Sequence, residues 1–262
     1  MPKHPGSLQL QPRDIELLRG LFESRLMTIA NAAEIHFGGR REAAKKRIQR
    51  LKAAGFVKER QRRPYEPSIL HLASKGVTAL SERSILVEYP PLSRLAIKRR
   101  NQVSERTLRH ELQVMDVKAA LYRAMRATPE VRILSFCTWP LLNEFYGSEN
   151  SWSQLPWIAR PDGLLRISRD TRTQTIFLEL DRSTESLGTL LSKVRRYASY
   201  KNSLTGMKSM TIQFVFPSET RRRNADLAFA SIPRKRAMRI RTSTLNELLN
   251  QPLSLIKSAE FE

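Results

Sequence analysis

The sequence contains one cysteine, Cys137, and four histidines that lie far apart, His4, His36, His71 and His110. One cysteine excludes an internal disulfide and leaves no cysteine cluster for a zinc site, so we expect a reducing, cytoplasmic setting. The chain also lacks a Gly-x-Ser-x-Gly elbow, a P-loop and a Cys/His dyad. Common hydrolase and nucleotide-binding motifs are therefore absent.

Long hydrophobic runs are missing as well. No stretch of about 18 apolar residues occurs, and no basic amphipathic helix carries Trp or Phe along one side. The segment 1–7 has no apolar core, which a signal peptide requires. We therefore expect no membrane association.

Acidic residues are scarce relative to basic ones, with 25 Asp and Glu against 46 Lys and Arg and a formal net charge of +21. Such an excess is the electrostatic footprint of a polyanion-binding protein, and double-stranded DNA is the partner that we expect. The 262 residues suffice for about two domains, and the 40% of hydrophobic residues can form ordinary cores.

The N-terminal third shows three helical segments followed by a hairpin. Apolar residues recur at helical spacing after Pro12, which suits a first helical turn, and Thr28 is placed to cap a second helix. A third helix covers 40–54, and residues 57–72 indicate two strands with a turn between them. Three helices and a β-wing predict a winged helix-turn-helix DNA-binding domain over 1–83.

The strongest local charge lies on the third helix and the wing. Residues 40–63 include eleven Lys and Arg against two Glu, a local charge of +9 in 24 residues. A solvated helix face usually mixes both signs, whereas these are the parts of a winged helix that meet DNA. We expect most of them to contact phosphate and to position the protein. The candidate DNA-binding residues are Arg40, Arg41, Lys45, Lys46, Arg47, Arg50, Arg62 and Arg63.

A basic, proline-containing stretch at 84–103 predicts a linker, and 104–262 predicts a second domain. Its pattern is a long helix at 104–126, strands at 131–137, 163–167 and 175–180, a helix at 187–203 and a strand at 210–216. An irregular stretch with Trp139, Trp152 and Trp157 separates the first two strands. This order predicts a three-layer α/β domain with a mixed sheet, so the chain is expected to be a two-domain protein of α+β and α/β class.

Three carboxylates lie at neighbouring strand ends of this predicted sheet. Asp162 opens one strand, and Glu179 and Asp181 lie two residues apart at the end of the next, on the same face. Converging oxygen ligands suit Mg²⁺, which proteins usually hold through one or two carboxylates plus substrate phosphates. The sequence therefore predicts Asp162, Glu179 and Asp181 as metal ligands, with Mn²⁺ as a substitute ion.

This arrangement resembles the restriction-endonuclease-like PD-(D/E)xK superfamily. The Pro-Asp of that superfamily matches Asp162 and its preceding proline, and the second acid matches Glu179. Its helical acid matches Glu111. The lysine of the motif falls at Asp181, and Lys193 on the following helix is the available substitute. The resemblance implies a catalytic set for metal-dependent phosphodiester hydrolysis that consists of Asp162, Glu179, Asp181, Lys193 and Glu111.

More narrowly, the chain resembles the replication-relaxation family of plasmid and other mobile-element proteins. The resemblance rests on the winged helix and on four blocks in order, 107–117, 160–162, 177–187 and 193–200. It implies a bacterial, nucleoid- or plasmid-associated DNA-binding protein that acts in replication or DNA relaxation, with a replication or mobilisation protein as a partner. Because winged helices often read paired half-sites, we also expect a homodimer.

Three interpretations of the acidic residues stay open. The first is a Mg²⁺-dependent endonuclease or nickase. The second is a degenerate nuclease-like domain in a non-catalytic DNA-binding initiator or transcriptional regulator, which the absence of lysine at position 181 favours. In the third, the acids are structural, and the segment 181–182 and Glu185 form ion pairs with Arg195 and Arg196.

Two further features are weaker. The helix at 187–203 carries Tyr197 and Tyr200 and is similar to the tyrosine-nucleophile helix of rolling-circle initiators. Those enzymes need a His-x-His type of metal motif, which is absent, so we expect both tyrosines to pack. The basic runs 221–223 and 234–236 predict either solvated loops or a phosphate-binding rim.

Overall fold

The computed structural model describes most of the chain. The described residues are 8–61, 64–89, 93, 95–96, 100, 102–138, 141–142, 161–183, 185–203, 210–232 and 238–257. The predictions for Arg62, Arg63, the three tryptophans and the run 234–236 lie outside these residues, as does the side chain of Tyr200.

The chain forms two compact units, Met1–Met115 and Asp116–Glu262. The division falls inside the longest helix, and the stretch 84–103 that predicts a linker lies within the first unit. Among the described residues, no helix has both the length and the apolar character that crossing a membrane would require.

The first unit begins with a cluster of helices. Its elements are α1 (Pro12–Ser24), β1 (Leu26–Thr28), α2 (Ile29–His36), α3 (Arg41–Ala53), β2 (Val57–Glu59), β3 (Ile69–Leu72), α4 (Ser74–Ser81), a 3₁₀ turn (Ile85–Glu88) and the start of α5 (Glu105–Met125). The strands form an antiparallel sheet in the order β1-β3-β2. The helices and the hairpin that the sequence predicts are present, and β1 is an additional strand.

Local sequence explains the helix boundaries of this unit. Pro12 occupies the first turn of α1, where its missing N–H would have had no partner. The Thr28 side chain accepts a hydrogen bond from the Asn31 N–H and so caps α2. Gly55 follows α3 with φ of 80°, a left-handed conformation that glycine adopts without strain.

The second unit is built on a five-stranded sheet. Its elements are the end of α5, β4 (Val131–Thr138), β5 (Gly163–Arg169), β6 (Arg172–Leu180), α6 (Leu187–Ser203), β7 (Met210–Phe216), α7 (Glu219–Ala230), β8 (Met238–Thr244), α8 (Leu245–Asn250) and α9 (Ser254–Lys257). The strand order is β4-β5-β6-β7-β8. The pairs β4–β5 and β5–β6 are antiparallel, and β6–β7 and β7–β8 are parallel. The predicted mixed sheet is therefore confirmed.

Helices cover both faces of this sheet. On one face, the Lys118 ammonium of α5 donates to the Phe136 carbonyl at 2.8 Å and lies over the Phe136 ring. On the other face, Tyr197 of α6 packs edge-on against Phe177 of β6. Side chains alternate along β6, so Glu179 points to the same face as Phe177. The acidic strand end is therefore covered by α6.

Candidate functional site

Helix α3 presents a row of exposed cations. Arg41, Lys45, Lys46 and Arg50 are exposed, whereas Ala44, Ile48 and Leu51 form its fully buried side. Among the residues that the structure describes, no side-chain hydrogen bond or ion pair engages these four cations. Their charge is therefore available for a ligand outside the unit. Arg40 precedes the helix and donates from Nε to the Phe37 carbonyl at 3.3 Å.

Arg47 lies on the same helix but faces the interior. Its Nε donates to Asp14 Oδ1 at 2.8 Å, and a second guanidinium N–H donates to the other oxygen of that carboxylate. Asp14 is fully buried and also accepts the Gln11 N–H at 2.7 Å. The hydrogen bonds with Asp14 raise the pKa of Arg47. The DNA contact predicted for Arg47 stays a prediction, and the structure adds an ion pair that ties α3 to α1.

Other cations of the basic stretch hold the hairpin in place. Lys52, near the end of α3, forms an ion pair with Glu59 of β2. Glu59 also accepts the Ser68 hydroxyl at 2.6 Å from the strand-to-strand connection. Arg60 donates to the Val103 carbonyl at 2.8 Å and pairs with Glu105. The local charge of +9 is therefore partly neutralised within the fold, and the exposed face of α3 carries four cations that have no side-chain partner among the described residues.

The acidic residues of the second unit lie at the end of the sheet that the sequence predicts. Asp162 directly precedes β5, and its backbone N–H donates to the Leu178 carbonyl at 2.9 Å. Its carboxylate accepts the Leu180 N–H at 2.7 Å. These two bonds join the start of β5 to the end of β6. Asp162 is therefore held beside Glu179, which lies between the two leucines in sequence.

Glu179 is buried and accepts two strong donors from α6. The Tyr197 hydroxyl donates to Oε1 at 2.5 Å, and the Lys193 ammonium donates to Oε2 at 3.0 Å. Burial raises the pKa of Glu179 to about 7, with Lys193 opposing the shift and the Asp162 carboxylate adding to it. The structure therefore brings Asp162, Glu179 and Lys193 together.

Lys193 connects this cluster to the loop between β6 and α6. Its ammonium lies 3.0 Å from Glu179 and 3.1 Å from Glu185. Burial alone would lower the pKa of Lys193, but the carboxylates of Glu179 and Asp162 outweigh burial and raise it. Burial and the neighbouring Glu179 raise the pKa of Tyr197 well above its ordinary value. Lys193 is therefore a cation and Tyr197 a neutral donor at physiological pH.

Asp181 is engaged by a different helix. Arg221 of α7 donates to its carboxylate at 2.7 Å and 3.4 Å, and also to the Glu185 carbonyl at 2.6 Å. The structural interpretation predicts Arg195 and Arg196 as partners of this region, but Arg221 and Lys193 are the partners that the structure shows. The signal was the basic run 221–223, which lies in the helix that follows a buried strand. In a parallel pair, the segment after β7 begins beside the end of β6.

The described residues contain no group of three or more His, Cys, Asp or Glu side chains placed to hold a metal ion. Asp162, Glu179 and Asp181 therefore do not converge as three ligands, because Asp181 pairs with Arg221 and both Glu179 oxygens accept protein donors. Magnesium binding stays a prediction. An ion held by Asp162 and Glu179 would lie beside the Lys193 ammonium, which already donates to Glu179 Oε2.

Glu111, the predicted helical acid, belongs to the first unit. It lies on α5, is 4% exposed and forms an ion pair with Arg25. Arg25 occupies the short connection between α1 and β1 with φ of 63°. Nearby, Leu108 of α5 and Val103, which precedes the helix, form a hydrophobic cluster with Leu26 of β1 and Ile69 of β3. Glu111 therefore anchors this helix to the first unit.

A family model described as replication-relaxation matches residues 18–211, about three quarters of the chain. The chain belongs to the replication-relaxation family. The matched span begins in α1 and ends in β7, so it includes the exposed face of α3 and the Asp162, Glu179 and Lys193 cluster. No curated protein matches the sequence. Membership in the replication-relaxation family agrees with the resemblance drawn from the four sequence blocks.

Proposed function

We propose that this replication-relaxation protein binds double-stranded DNA of a plasmid or another mobile element and acts in its replication or relaxation. The first unit would be a winged helix-turn-helix, with α3 as the recognition helix and the β2–β3 hairpin as the wing. The element order α1-β1-α2-α3-β2-β3 and the strand order β1-β3-β2 support this assignment.

The observation that supports the proposal is that some cations of α3 form ion pairs within the fold whereas others are exposed and, in the part of the chain that the structure describes, unpaired. Arg47 pairs with a buried acid, and Lys52 pairs with Glu59, so these charges serve the fold. Arg41, Lys45, Lys46 and Arg50 project from the exposed side, with no side-chain partner among the described residues. A row of unpaired cations on one helix is costly for the free protein because like charges repel, and DNA phosphates would relieve that repulsion.

The experiment is a fluorescence-anisotropy titration of duplex DNA over a range of salt concentrations. For B-DNA the logarithm of affinity falls with the logarithm of salt, by about 0.9 for each neutralised phosphate. Lys46→Ala and Arg50→Ala should each weaken binding about equally for all sequences and lower the slope by about 1. An unchanged slope in both variants would remove α3 from the interface. Sedimentation of the complex would test the expected homodimer.

A second candidate function is a Mg²⁺-dependent endonuclease or nickase in the second unit, which would then be a PD-(D/E)xK-like domain. The observation that favours it is that Asp162 and Glu179 lie at adjacent strand ends beside Lys193 of α6, with the pKa of Glu179 raised to about 7 by burial. Strongly shifted carboxyl groups cluster at functional sites. The engagement of both Glu179 oxygens by Tyr197 and Lys193 favours the alternative, a non-catalytic initiator or regulator.

An assay with supercoiled plasmid distinguishes the nuclease from the non-catalytic DNA-binding protein. The purified protein is incubated with plasmid in Mg²⁺, Mn²⁺ or EDTA, and the products are resolved on a gel. Metal-dependent nicking that disappears in Asp162→Ala would establish a nuclease. Shifted but intact plasmid under every condition would leave a DNA-binding protein whose acidic cluster is structural.

A further inference from the structure

The exposed side of α3 carries an ordered stripe of polar residues. Glu42, Lys45, Lys46 and Gln49 follow the spacing i, i+3, i+4, i+7, and all four are exposed. This spacing places side chains on one face of a helix. Ala44, Ile48 and Leu51 occupy the opposite, buried side. The stripe therefore lies on the solvent-exposed side of α3.

Within this face, charge is arranged symmetrically. At about 100° per residue, Glu42 and Gln49 lie within roughly 20° of each other at the centre of the exposed arc. Lys45 and Lys46 lie about 50° to either side, and Arg41 and Arg50 about 90° to either side. Cations therefore flank a centre whose polar side chains are one carboxylate and one carboxamide, beside the small Ala53.

This arrangement suits base recognition at the centre and phosphate binding at the edges. In a helix that enters the major groove, the central side chains face base edges and the lateral ones face the two phosphate backbones. A carboxylate repels phosphate, so Glu42 contributes nothing favourable to non-specific binding. A carboxamide has no net charge, but it offers a donor and an acceptor side by side. That pair matches adenine N7 and N6 in the major groove.

We propose that Gln49 is a specificity-determining residue that reads adenine, with Glu42 accepting from a cytosine amino group. This inference rests on the proposed DNA-binding role of α3. The two residues are seven positions apart, about 10 Å along the helix axis, which corresponds to roughly three base pairs. The preferred DNA should therefore contain a cytosine and an adenine about two to four base pairs apart.

Helix formation provides the competing explanation for both residues. Glu42 lies in the first turn of α3, where a negative charge interacts favourably with the helix dipole. The helix dipole does not account for Gln49, because Gln49 is uncharged, lies in the second half of the helix and is exposed. Gln49 therefore carries the inference, and Glu42 supplies the second position of the expected site.

The test is selection of bound duplexes from a randomised pool with the full chain, followed by anisotropy titrations on the selected site. For Gln49→Ala we expect loss of preference at a single adenine and about 5- to 150-fold weaker binding to the selected site. The salt slope should remain that of the wild type, because no charge is removed. Arg50→Ala is the matched control on the same helix. It should select the same sequence, bind every duplex more weakly and show a slope lower by about 1.

The outcomes distinguish this inference from the proposed function. If the wild-type protein retains no DNA at low salt, the proposed DNA-binding function is wrong. If the wild type binds DNA but selects no sequence, or if Gln49→Ala selects the same adenine with undiminished preference, only the assignment of Gln49 fails. Far-UV circular dichroism should show unchanged folding for Gln49→Ala, because its side chain is exposed.

Discussion

Removing either of two adjacent cations of α3 should affect different properties of the protein. Arg47→Ala should destabilise the first unit, because it leaves the fully buried Asp14 carboxylate without its cation. Lys46→Ala should leave stability unchanged and weaken DNA binding, because Lys46 is exposed. The pair is a matched comparison, since both changes remove one positive charge from neighbouring positions of the same helix.

The magnitude follows from the surroundings of Asp14. Breaking a buried ion pair typically costs about 3–5 kcal/mol. The Asp14 side chain has no exposed surface and the Arg47 side chain is 14% exposed, but Asp14 keeps the hydrogen bond from the Gln11 N–H. We therefore expect Arg47→Ala to lower the free energy of unfolding by about 2–4 kcal/mol. Lys46→Ala should change it by less than about 0.5 kcal/mol.

The assay is urea unfolding followed by far-UV circular dichroism, with peptide-resolved hydrogen exchange to report on the first unit separately. A double-mutant cycle with Asp14→Ala isolates the pair. The losses of unfolding free energy in the two single variants, added together, should exceed the loss in the double variant by about 1–3 kcal/mol. Equal stability of Arg47→Ala and Lys46→Ala, or strictly additive energies in the cycle, would refute this reasoning.

Three further changes probe the two units separately. Because burial raises the pKa of Glu179 to about 7, the folded state retains this proton to higher pH than the unfolded chain. Stability should therefore fall as pH rises from about 4.5 to about 7, and Glu179→Gln should flatten that part of the pH profile of thermal unfolding. A pH profile identical to the wild type would contradict this. Gly76→Ala should destabilise the first unit by roughly 1–3 kcal/mol, because an added Cβ would lie 2.5 Å from the Phe56 carbonyl oxygen. Gly188→Ala is its control, because the nearest contact of an added Cβ among the described residues is the Ser186 hydroxyl, at 3.6 Å. This change in the first turn of α6 should leave the stability of the second unit unchanged or raise it by up to about 1 kcal/mol, and calorimetric melting of both variants checks the contrast.

Local patterns in the sequence were sufficient for most of the helices and strands and for the family, but not for the short strand β1. Apolar spacing along 41–53 predicts α3, and strand-like apolar runs predict β5, which follows Asp162, and β6, which carries Glu179. These predictions succeed because helix and strand periodicities depend on residues within one or two turns of each other. Lys193 was also accessible from sequence, because its helix directly follows the acidic strand.

Local sequence patterns did not predict which ion-pair partner each charged side chain has. Lys46 and Arg47 are adjacent and chemically similar, yet one is exposed and the other meets Asp14 from α1. Asp181 meets Arg221, forty positions later, because the parallel pairing of β6 and β7 brings the start of α7 beside it. The sequence by itself determined which residues form most of the helices and strands, and that the chain carries a large excess of basic residues. Only the tertiary structure decided which charges neutralise each other, because ion pairs depend on distances between segments that are far apart in the chain.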